Sequence, residues 1–586
     1  MKKRVLAVLL VVCMLLSLAA CSKKEANNDP TPAVKQDEKG NLVADITPAP
    51  TDVPVEKIEN VDEISVLTNG ELVNGKFETT RHIRVEVYDR DGACPAEDNH
   101  YTDYIKAGML EKYNVEVEFV PVSRWSEDTQ IADLLAAQNA PDICYTYKLP
   151  IIQQYASYEG VLDMSQWLTD DYKGLFSNLW NWLGSANILA DQDPTTGTIY
   201  CIEGRRNNTY RINTFVRNDW LKKLGLAAPT TTAEFEAMLV AFRDNAATLL
   251  PDEASKVVPF SVSYDIGWRA ANLIESKMDP NITDEELYVN GFDDRRFTQN
   301  GTKEAIQLLN KWYNDGLIWK DFALYPSGDS TEDDMMKAGY VGAFMHNYDY
   351  PFRNNLDSIN CQLQAKYGED AYYIAINCFE DSEGNYTKYS YSAAGDRKSF
   401  FPATNTEPLA CMLYLDFISS PEVVKYIQIG DEGISHSVLA DGAIQTSSID
   451  EAHVEYSWCG GNNIDLTITC NGLRLDTPEL TQKSLAYGYE GNAPEIVADA
   501  MAAAAKDARE PKNVNVGDIA AEAEFGSALG ELRDAAFDKA VVCAPADFDA
   551  VWEQGMTEYL AAGGQDIMDE RQAAWDKNYG AATMLP

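Results

Sequence analysis

Short alternating runs and helical runs follow one another along the first part of the chain. Residues 82–88 alternate polar with apolar side chains, residues 115–119 do the same, and a third extended run ends at residues 141–145. Between these runs, apolar residues recur at helical spacing: Tyr101, Ile105 and Met109, then Ile131, Leu134 and Leu135. This order predicts a parallel α/β sheet, whose ligands approach the carboxyl ends of the strands.

Residues 197–231 hold the pattern around which the rest of the chain is arranged. Residues 198–202 and 210–216 are extended runs, and Asn218 is placed to cap a helix with Trp220 and Leu221 on its apolar face. Gly225 is expected to end that helix. Two strands followed at once by a new helix suit a passage between two lobes, with a plain βα unit as the alternative.

The alternation resumes beyond this passage. Thr231 and Glu234 form a capping box for a helix that is expected to bury Phe235, Met238, Leu239 and Phe242. Strands are predicted at residues 257–263 and 339–345, and an extended run at 371–378 is expected to carry the chain back to the first lobe. From residue 431 onward the composition favours mostly Ala-rich helix.

These patterns predict six segments. They are a signal peptide (1–20), a lipid-anchored flexible tether (21–62), the first part of lobe 1 (63–205), the first part of lobe 2 (206–370), a return segment of lobe 1 (371–435), and lobe 2 with C-terminal helices (436–586).

The N-terminus indicates export. Three basic residues precede an apolar run too short to remain as a spanning helix, and Leu18-Ala19-Ala20-Cys21 follows as a lipobox, which predicts lipidation of Cys21. Removal of the signal leaves 45 basic against 92 acidic residues, a net charge of −47. Such a surface is expected to repel nucleic acid and anionic lipid. The nine remaining cysteines include no CxxC pair and are expected to be mostly buried free thiols.

Several of these segments together resemble the family 1 extracellular solute-binding proteins, the sugar-binding lipoproteins of Gram-positive ABC importers. The resemblance is carried by residues 18–21, 140–143, 197–200, 216–225, 229–231, 312–318 and 339–343, of which the string Arg-Asn-Asp-Trp-Leu-Lys-Lys-Leu-Gly is the most specific. Residues 204–208 depart from it by replacing a proline that often follows the Gly-x-Ile-Tyr strand.

The resemblance implies a fold and a role. The fold would be α/β, a two-lobe periplasmic-binding-protein-like arrangement (type II) with crossing hinge strands and a helical C-terminal region. The role would be an extracellular lipoprotein, monomeric and held at the outer face of the cytoplasmic membrane by its lipid alone. It would capture a carbohydrate and pass it to the transmembrane subunits of an ABC permease. The length of the chain favours an oligosaccharide over a monosaccharide, with a peptide or another polar solute left open.

Catalytic chemistry finds little support in the sequence. HExxH, GxSxG and GxxxxGK[ST] are all missing, the five histidines are scattered, and Asp191-x-Asp193 fits a turn better than a calcium loop. We therefore expect no catalytic residue, cofactor or metal. A glycan-active hydrolase with a carboxylate pair stays open as a rival, and so does a surface adhesin without a transport role.

Candidate ligand-binding residues follow from the chemistry of sugars. A pyranose offers an apolar C–H face and a ring of hydroxyls, so aromatic rings and planar polar groups at strand ends are the natural candidates. We select Tyr88, Arg90, Asp91, Trp125, Tyr145, Tyr147, Trp268, Tyr348, Tyr350, Asp396, Arg397 and Trp458. The alternative for Trp125 and Trp458 is that each packs under a loop. The alternative for the four charged residues is that they form solvated ion pairs on the surface. Trp220 and Trp312 are assigned to the core.

Overall fold

The computed structural model describes residues 53–325 and 329–582, together with a short antiparallel pair, Lys35–Gln36 with Leu42–Val43. Contacts divide the chain into a unit of Met1–Ala49 and a unit of Pro50–Pro586. The predicted signal peptide and Cys21 lie outside the described residues. No helix in the described ranges combines the length and the apolarity needed to cross a membrane.

The second unit begins before the end of the predicted tether. Val55 exchanges backbone hydrogen bonds with the side chain of Asn181 at 2.8 and 3.0 Å, and Ile58 donates its N–H to the carbonyl of Gly174 at 3.0 Å. The helix Val61–Leu67 follows at once. The packed part of the chain therefore starts near Val55 and not at residue 63.

The strands that build the two main sheets can be named in chain order. They are β1 (Arg81–Asp89), β2 (Val115–Ser123), β3 (Cys144–Thr146), β4 (Cys201–Glu203), β5 (Ile212–Arg217), β6 (Val258–Ser261), β7 (Val341–Asn347), β8 (Tyr373–Ile376) and β9 (Lys398–Phe400). Two-residue strands and the pair His436–Val438 with Ile444–Thr446 lie outside these sheets.

The first sheet joins a parallel part to an antiparallel part. β1 and β2 pair in parallel along their whole length, and Ile143 extends that pairing beside Val85. β9 then pairs antiparallel with both β3 and β4. The ends of β1, β3 and β4 and the start of β9 consequently meet at one edge, where side chains from distant parts of the chain come together.

Helices cover this sheet and share one large core with it. Ile83, Val85 and Val87 of β1 are buried against Met412, Leu413 and other residues of the helix after Pro408, whose side chains are almost all buried. The helices of this half are Val61–Leu67, His100–Tyr113, Glu127–Ala136, Leu149–Ser157, Asp170–Lys173, Ser177–Ile188, Pro408–Ser419 and Pro421–Ile429.

The second sheet has the strand order β6-β7-β5-β8. β7 is antiparallel to β5 and parallel to β6, and β8 is antiparallel to β5. Trp220 and Trp312 are fully buried here, as predicted, and the ring of Phe235 lies 5.7 Å from that of Trp312. The helices of this half are Asn218–Leu224, Thr232–Asp244, Ala246–Leu249, Ile266–Arg269, Ala271–Ser276, Asp284–Asn290, Thr302–Asn314, Thr331–Ala338, Ile359–Tyr367, Pro478–Ala486, Pro494–Ala505, Ala520–Val542, Phe548–Tyr559 and Gln565–Ala582.

Three passages of the chain run side by side between the two sheets. Arg206 donates its backbone N–H to the carbonyl of Ala393 at 3.0 Å, and Ser390 donates to Arg509 at 3.0 Å. Lys398 pairs with Glu203 at 2.8 Å, and the side chain of Asn513 donates to the same carboxylate at 3.0 Å. Hydrogen bonds between neighbouring crossings give the two halves a shared and continuous backbone connection.

Two predictions about the chain path are corrected. Residues 371–378 do not return to the first half, because β8 forms an edge of the second sheet and only β9 rejoins the first. The stretch after residue 431 is not continuous helix: up to Pro478 it consists of short strands, 3₁₀ turns and loops, and Cys470–Asn471 pairs with Arg205–Arg206 beside the first sheet.

The local signals around the crossing helix are mostly confirmed. Gly225 ends the helix in the left-handed region at φ 65°, and Thr231 accepts the N–H of Glu234 as a helix cap at 3.2 Å. The predicted capping box is only half formed, because the Glu234 carboxylate accepts the N–H of Thr230 and not that of Thr231. Asn218 is the first helical residue instead of the cap, because its side chain donates to the carbonyl of Asp370 at 3.0 Å. The nine cysteines from Cys94 onward are all free, and six of them are buried.

A matched pair of leucine truncations tests the assignment of the second core. Leu239→Ala removes a fully buried side chain and leaves a cavity, so we expect the free energy of unfolding to fall by about 2–5 kcal/mol. Leu324→Ala removes a side chain that is 73% exposed and should change it by no more than about 0.5 kcal/mol. Denaturant unfolding measures both, and equal losses would contradict the assignment.

Candidate functional site

Four guanidinium groups meet where β1, β3, β4 and β9 converge. Arg90 follows β1, Arg206 follows β4, and Arg397 immediately precedes β9. Arg124 follows β2 and lies with its guanidinium carbon 4.8 Å from the ring centre of Tyr147, the residue after β3. We call these four residues, with Asp396 and Asp465, the arginine cluster.

Two buried carboxylates hold most of the cluster together. Asp465 receives Arg90 through two contacts of 2.5 and 3.1 Å, and its Oδ1 also lies 3.4 Å from Nη1 of Arg397. Asp396 receives Arg206 at 2.9 Å and Arg397 at 3.3 Å. Each carboxylate therefore serves two guanidiniums, which fixes their positions relative to one another.

The electrostatics of Asp396 follow from these contacts. Burial by itself would raise the pKa of its carboxyl group. The guanidiniums of Arg206 and Arg397 and the amide of Asn471, which donates at 2.7 Å, outweigh burial and hold that pKa below its usual value. Asp396 is therefore an anion across the physiological pH range and a poor proton donor.

Tyr88 and Tyr145, two of the predicted ligand platforms, are fully buried beneath the cluster. Tyr145 donates its hydroxyl to the carbonyl of Asp465 at 3.3 Å, and Tyr88 donates its hydroxyl to Glu127 at 2.6 Å. The expectation that binding residues lie at strand ends gave the correct positions for both tyrosines, but their rings point into the core. The structure supports a role in holding the cluster and not direct stacking on a ligand.

Tyr147 and Trp125 are the aromatic rings of this edge that remain accessible. Trp125 is 70% exposed, and the Arg90 guanidinium lies 6.0 Å from its ring. Tyr147 is half-buried, and its ring stacks on that of Tyr88 with ring centres 6.3 Å apart. The Arg124 guanidinium lies over both rings, 4.8 Å from the centre of Tyr147 and 5.3 Å from that of Tyr88. Asp91 is exposed in a left-handed turn at φ 57°, away from the ion pairs of the cluster.

On the side of the second sheet, Trp268 faces the crossings. The guanidinium carbons of Arg211 and Arg295 each lie 4.8 Å from its ring centre, and Tyr391 of the second crossing lies 6.4 Å away. The Arg206 guanidinium is 4.1 Å from the ring of Tyr391. A continuous row of stacked groups thus connects Trp268 with the arginine cluster.

Tyr348 and Tyr350 lie apart from this row. Tyr348 is buried and accepts a hydrogen bond from the side-chain amide of Asn208 at 2.7 Å. Tyr350 donates its hydroxyl to Asp333 at 2.8 Å and stacks on His346 with ring centres 3.5 Å apart. Both hydroxyl groups are already engaged within the protein, and the structure does not bring these two tyrosines to the cluster.

Trp458 is the last of the predicted residues. It is half-buried and stacks on Tyr101 with ring centres 5.3 Å apart, at the margin of the first core. This contact agrees with the packing alternative considered for it, and the indole is not connected to the cluster by any contact that the described residues make.

Sequence reasoning missed several residues of this site. Arg124, Arg206, Tyr391 and Asp465 all belong to it, and none was selected. Arg206 lies in the stretch 204–208 where the chain departs from the resemblance, which was a usable signal. The sequence contains no comparable signal for Asp465, because its partners Arg397 and Arg90 are 68 and 375 positions away in the sequence.

A groove elsewhere on the chain has a different character. About 400 Å³ lies between the helices Ala520–Val542 and Phe548–Tyr559, lined mainly by Leu532, Ala535, Val542 and Val551. No group of three or more His, Cys, Asp or Glu side chains within the described ranges is arranged to hold a metal ion. Asp193 accepts the N–H groups of Thr195 and Thr196 at 2.7 Å each, as the predicted turn requires.

Comparison with solved structures gives the fold. The alginate-binding protein AlgQ2 without calcium ion aligns with a TM-score of 0.59 at 16% identity, over 85% of this chain and 98% of that one. An extracellular solute-binding protein from Bifidobacterium longum subsp. infantis aligns with 0.57 at 14% identity, over 85% and 98%. The N-glycan transport solute binding protein NgtS from Streptococcus pneumoniae aligns with 0.52 at 16% identity, over 86% and 99%.

The chain has the fold of the extracellular solute-binding proteins. The predicted class, an α/β fold of two lobes with a helical C-terminal region, is thereby confirmed. No protein-family model and no curated protein matches the sequence, so the solute-binding fold is recognised through structure. The arginine cluster lies at the edge of the first sheet beside the crossings, and Trp268 lies on the side of the second sheet.

Replacing Asp396 tests the electrostatic description of the site. Asp396→Asn leaves two buried guanidiniums short of a carboxylate, so we expect the free energy of unfolding at pH 7 to fall by about 3–5 kcal/mol. Because the pKa of Asp396 is lower in the folded than in the unfolded protein, its carboxylate stabilises the folded state fully at pH values above the unfolded-state pKa. That stabilisation is lost as the pH falls through the folded-state pKa. The difference from wild type should therefore shrink below about pH 4.

The exposed Asp91 provides the control for this measurement. Asp91→Asn should change the stability by no more than about 0.5 kcal/mol at any of these pH values. Denaturant unfolding at a series of pH values measures both variants. If the difference in free energy of unfolding between wild type and Asp396→Asn stayed constant down to pH 3, it would contradict the ion pairing described above.

Proposed function

We propose that this chain is a solute-binding protein that captures an oligosaccharide between its two lobes and delivers it to an ABC-type permease. The observation that carries the proposal is the row from Trp125 and Tyr147 through the arginine cluster to Tyr391 and Trp268. It begins on one lobe, crosses the connecting segments and ends on the other.

The chemistry of this row suits a sugar chain. Trp125 and Tyr147 offer aromatic faces to the C–H side of a pyranose, while guanidiniums and carboxylates can each bond two neighbouring hydroxyls. Alternating rings and planar polar groups along one row can accommodate several sugar units in succession. The names of two aligned proteins, alginate-binding and N-glycan transport, agree with an oligosaccharide ligand.

Closure of the lobes supplies the signal to the permease. The helix Leu149–Ser157 of the first lobe lies against the helix Ala520–Val542 of the second, so the lobes also touch away from the crossings. A ligand held by both lobes stabilises the closed arrangement by the difference in its affinity for the closed and the open form. The hydrogen-bonded crossings are the natural place for the hinge.

A binding role explains the carboxylates better than hydrolysis does. A glycosidase needs one carboxyl group that donates a proton and a second that is free to act as base or nucleophile. Asp396 and Asp465 are both occupied by guanidiniums, and the pKa of Asp396 is lowered, not raised. Burial raises the pKa of Glu203 at the end of β4 to about 8, but its carboxylate is buried and bound to Lys398 at 2.8 Å. The proposal therefore includes no enzymatic activity; a hydrolase or an adhesin would reveal itself in the experiment below.

The cellular setting completes the proposal. Cys21 carries a lipid that holds the protein at the outer face of the cytoplasmic membrane as a monomer, and the acidic chain up to Val55 acts as its tether. The first lobe comprises the segments from Val55 to β4 and from β9 through Asn471. The second lobe comprises β5 to β8 and the C-terminal helices.

Ligand binding and closure can be measured together. We expect stabilisation in a thermal-shift screen against a panel of oligosaccharides, with the glycan left intact. A stabilising glycan should change the tryptophan fluorescence and reduce the radius of gyration in small-angle scattering. Release of reducing ends would favour the hydrolase, affinity for intact polymer alone would favour the adhesin, and a bound glycan without compaction would contradict closure.

The lipid anchor has its own test. Cys21→Ser removes the only thiol at the lipobox, so we expect the variant to incorporate no labelled fatty acid in producing cells, whereas the parent does. Cys13→Ser, within the apolar signal, should leave the labelling unchanged. Labelling of Cys21→Ser equal to that of the parent would contradict lipidation at this position.

A further inference from the structure

The arginine cluster contains more positive than negative charge. Arg90, Arg206 and Arg397 share the two carboxylates Asp396 and Asp465. Arg124 has no carboxylate within 4.0 Å and makes no hydrogen bond within the part of the chain that the structure describes; its neighbours are the rings of Tyr88 and Tyr147. Among the six residues of the cluster, four guanidiniums face two carboxylates; the buried carboxylate of Glu127 nearby accepts the hydroxyl of Tyr88 at 2.6 Å and bonds none of the four guanidiniums.

Three arginines of the cluster also have N–H groups without an acceptor. Nη2 of Arg397, Nε of Arg206 and Nε of Arg124 are buried, and no described residue accepts a hydrogen bond from them. The whole side chain of Arg397 is inaccessible to solvent. Buried donors without partners destabilise a folded protein, and three of them around Tyr147 are an uncommon concentration.

Comparable arginines elsewhere in the chain are balanced. Buried Arg217 forms two bonds to Asp219 at 2.8 and 2.9 Å, and buried Arg269 is paired with Glu332. Arg205 and Arg474 also lack a carboxylate, but both pack on the ring of Trp182 and donate to backbone carbonyls behind the crossings. Nε of Arg81 and Nε of Arg296 are also buried without an acceptor, but each of these arginines has a carboxylate partner, Glu407 at 3.3 Å and Glu275 at 4.0 Å. Arg124 combines an unused donor with the lack of a carboxylate partner.

We propose that the captured oligosaccharide carries an anionic substituent, a carboxylate or a sulfate ester, that binds at Arg124 and the neighbouring guanidiniums. This inference rests on the proposed function and narrows its ligand to acidic glycans. A planar carboxylate or a sulfate accepts several N–H bonds in the geometry that guanidiniums offer, and it supplies the negative charge that the cluster lacks.

The surroundings of Arg124 place such a group next to a sugar ring. Trp125 is the adjacent residue in the chain and is exposed, and Tyr147 lies directly beneath the Arg124 guanidinium. A pyranose stacked on an aromatic ring here would direct an equatorial carboxylate or sulfate toward the guanidiniums. The ring and the charge of one acidic sugar unit would then be recognised by neighbouring side chains.

The acidic surface of the protein does not prevent this. The chain carries a formal net charge of −44, but charges more than about 10 Å apart in solvent are largely screened at 0.1 M salt. Within the site, the nearest groups dominate because the Coulomb interaction is strongest at short distance and in a partly buried setting. The distant surface charge would slow the approach of an anionic ligand without removing its local attraction.

Pairs of glycans that differ only in charge test the inference. The full chain without its signal peptide is titrated calorimetrically with oligogalacturonates and their neutral methyl esters, and with sulfated galactose oligosaccharides and their desulfated forms. Neutral gluco- and manno-oligosaccharides complete the panel. We expect the charged member of at least one pair to bind at least 10-fold more tightly than its neutral form, and the pair that shows this identifies carboxylate or sulfate.

Variants then assign the charge preference to Arg124. Arg124→Gln should reduce the preference to less than threefold, because it removes the cation that has no carboxylate partner. Arg84→Gln, a partly exposed arginine of the same lobe that contacts backbone carbonyls at 3.2 and 3.4 Å, should leave the preference intact. Thermal unfolding confirms that both variants are folded, since neither loses a buried ion pair.

The possible outcomes separate this inference from the proposed function. Tight binding of neutral oligosaccharides without preference for a charged partner would overturn the anionic-ligand inference and leave oligosaccharide capture standing. A charge preference that survives Arg124→Gln would overturn the assignment to this cluster. Binding of no glycan in the panel would overturn the proposed function itself, and the inference with it.

Discussion

The structure depends on the sharing of Asp396 and Asp465 among guanidiniums at the edge where β1, β3, β4 and β9 meet. Arg90, Arg206 and Arg397 come from three separate parts of the chain, and each is fixed by one or both carboxylates. Because Arg206 and Asp396 belong to two different crossings, the same ion pairs tie those crossings to the first lobe. Any movement of the hinge is therefore coupled to the geometry of the proposed binding site.

Physical reasoning from the sequence predicted most of the fold. Period-two and helical spacing placed the parallel strands β1 and β2, and the apolar stripe from Phe235 to Phe242 was fully confirmed. The return strand was misassigned because an extended apolar run does not reveal which sheet it joins. β8 and β9 differ in their partners and hardly in their local pattern, so the decision is made by tertiary packing.

The site was predicted less well, and for a specific reason. Strand ends pointed to the correct edge, but the direction of each ring depends on long-range packing, which buries Tyr88 and Tyr145 and leaves Trp125 exposed. Arg124 could not be recognised from sequence, because its distinguishing property is the lack of a carboxylate partner. Such a property appears only when every neighbouring side chain has been placed.

A structure of the protein with a bound acidic oligosaccharide will show whether a sugar chain lies between the lobes along the row from Trp125 to Trp268. We expect glycan density in contact with both lobes, with its anionic group within hydrogen-bonding distance of Arg124. Glycan bound to one lobe alone, or in the groove beside the helix Ala520–Val542, would contradict this expectation.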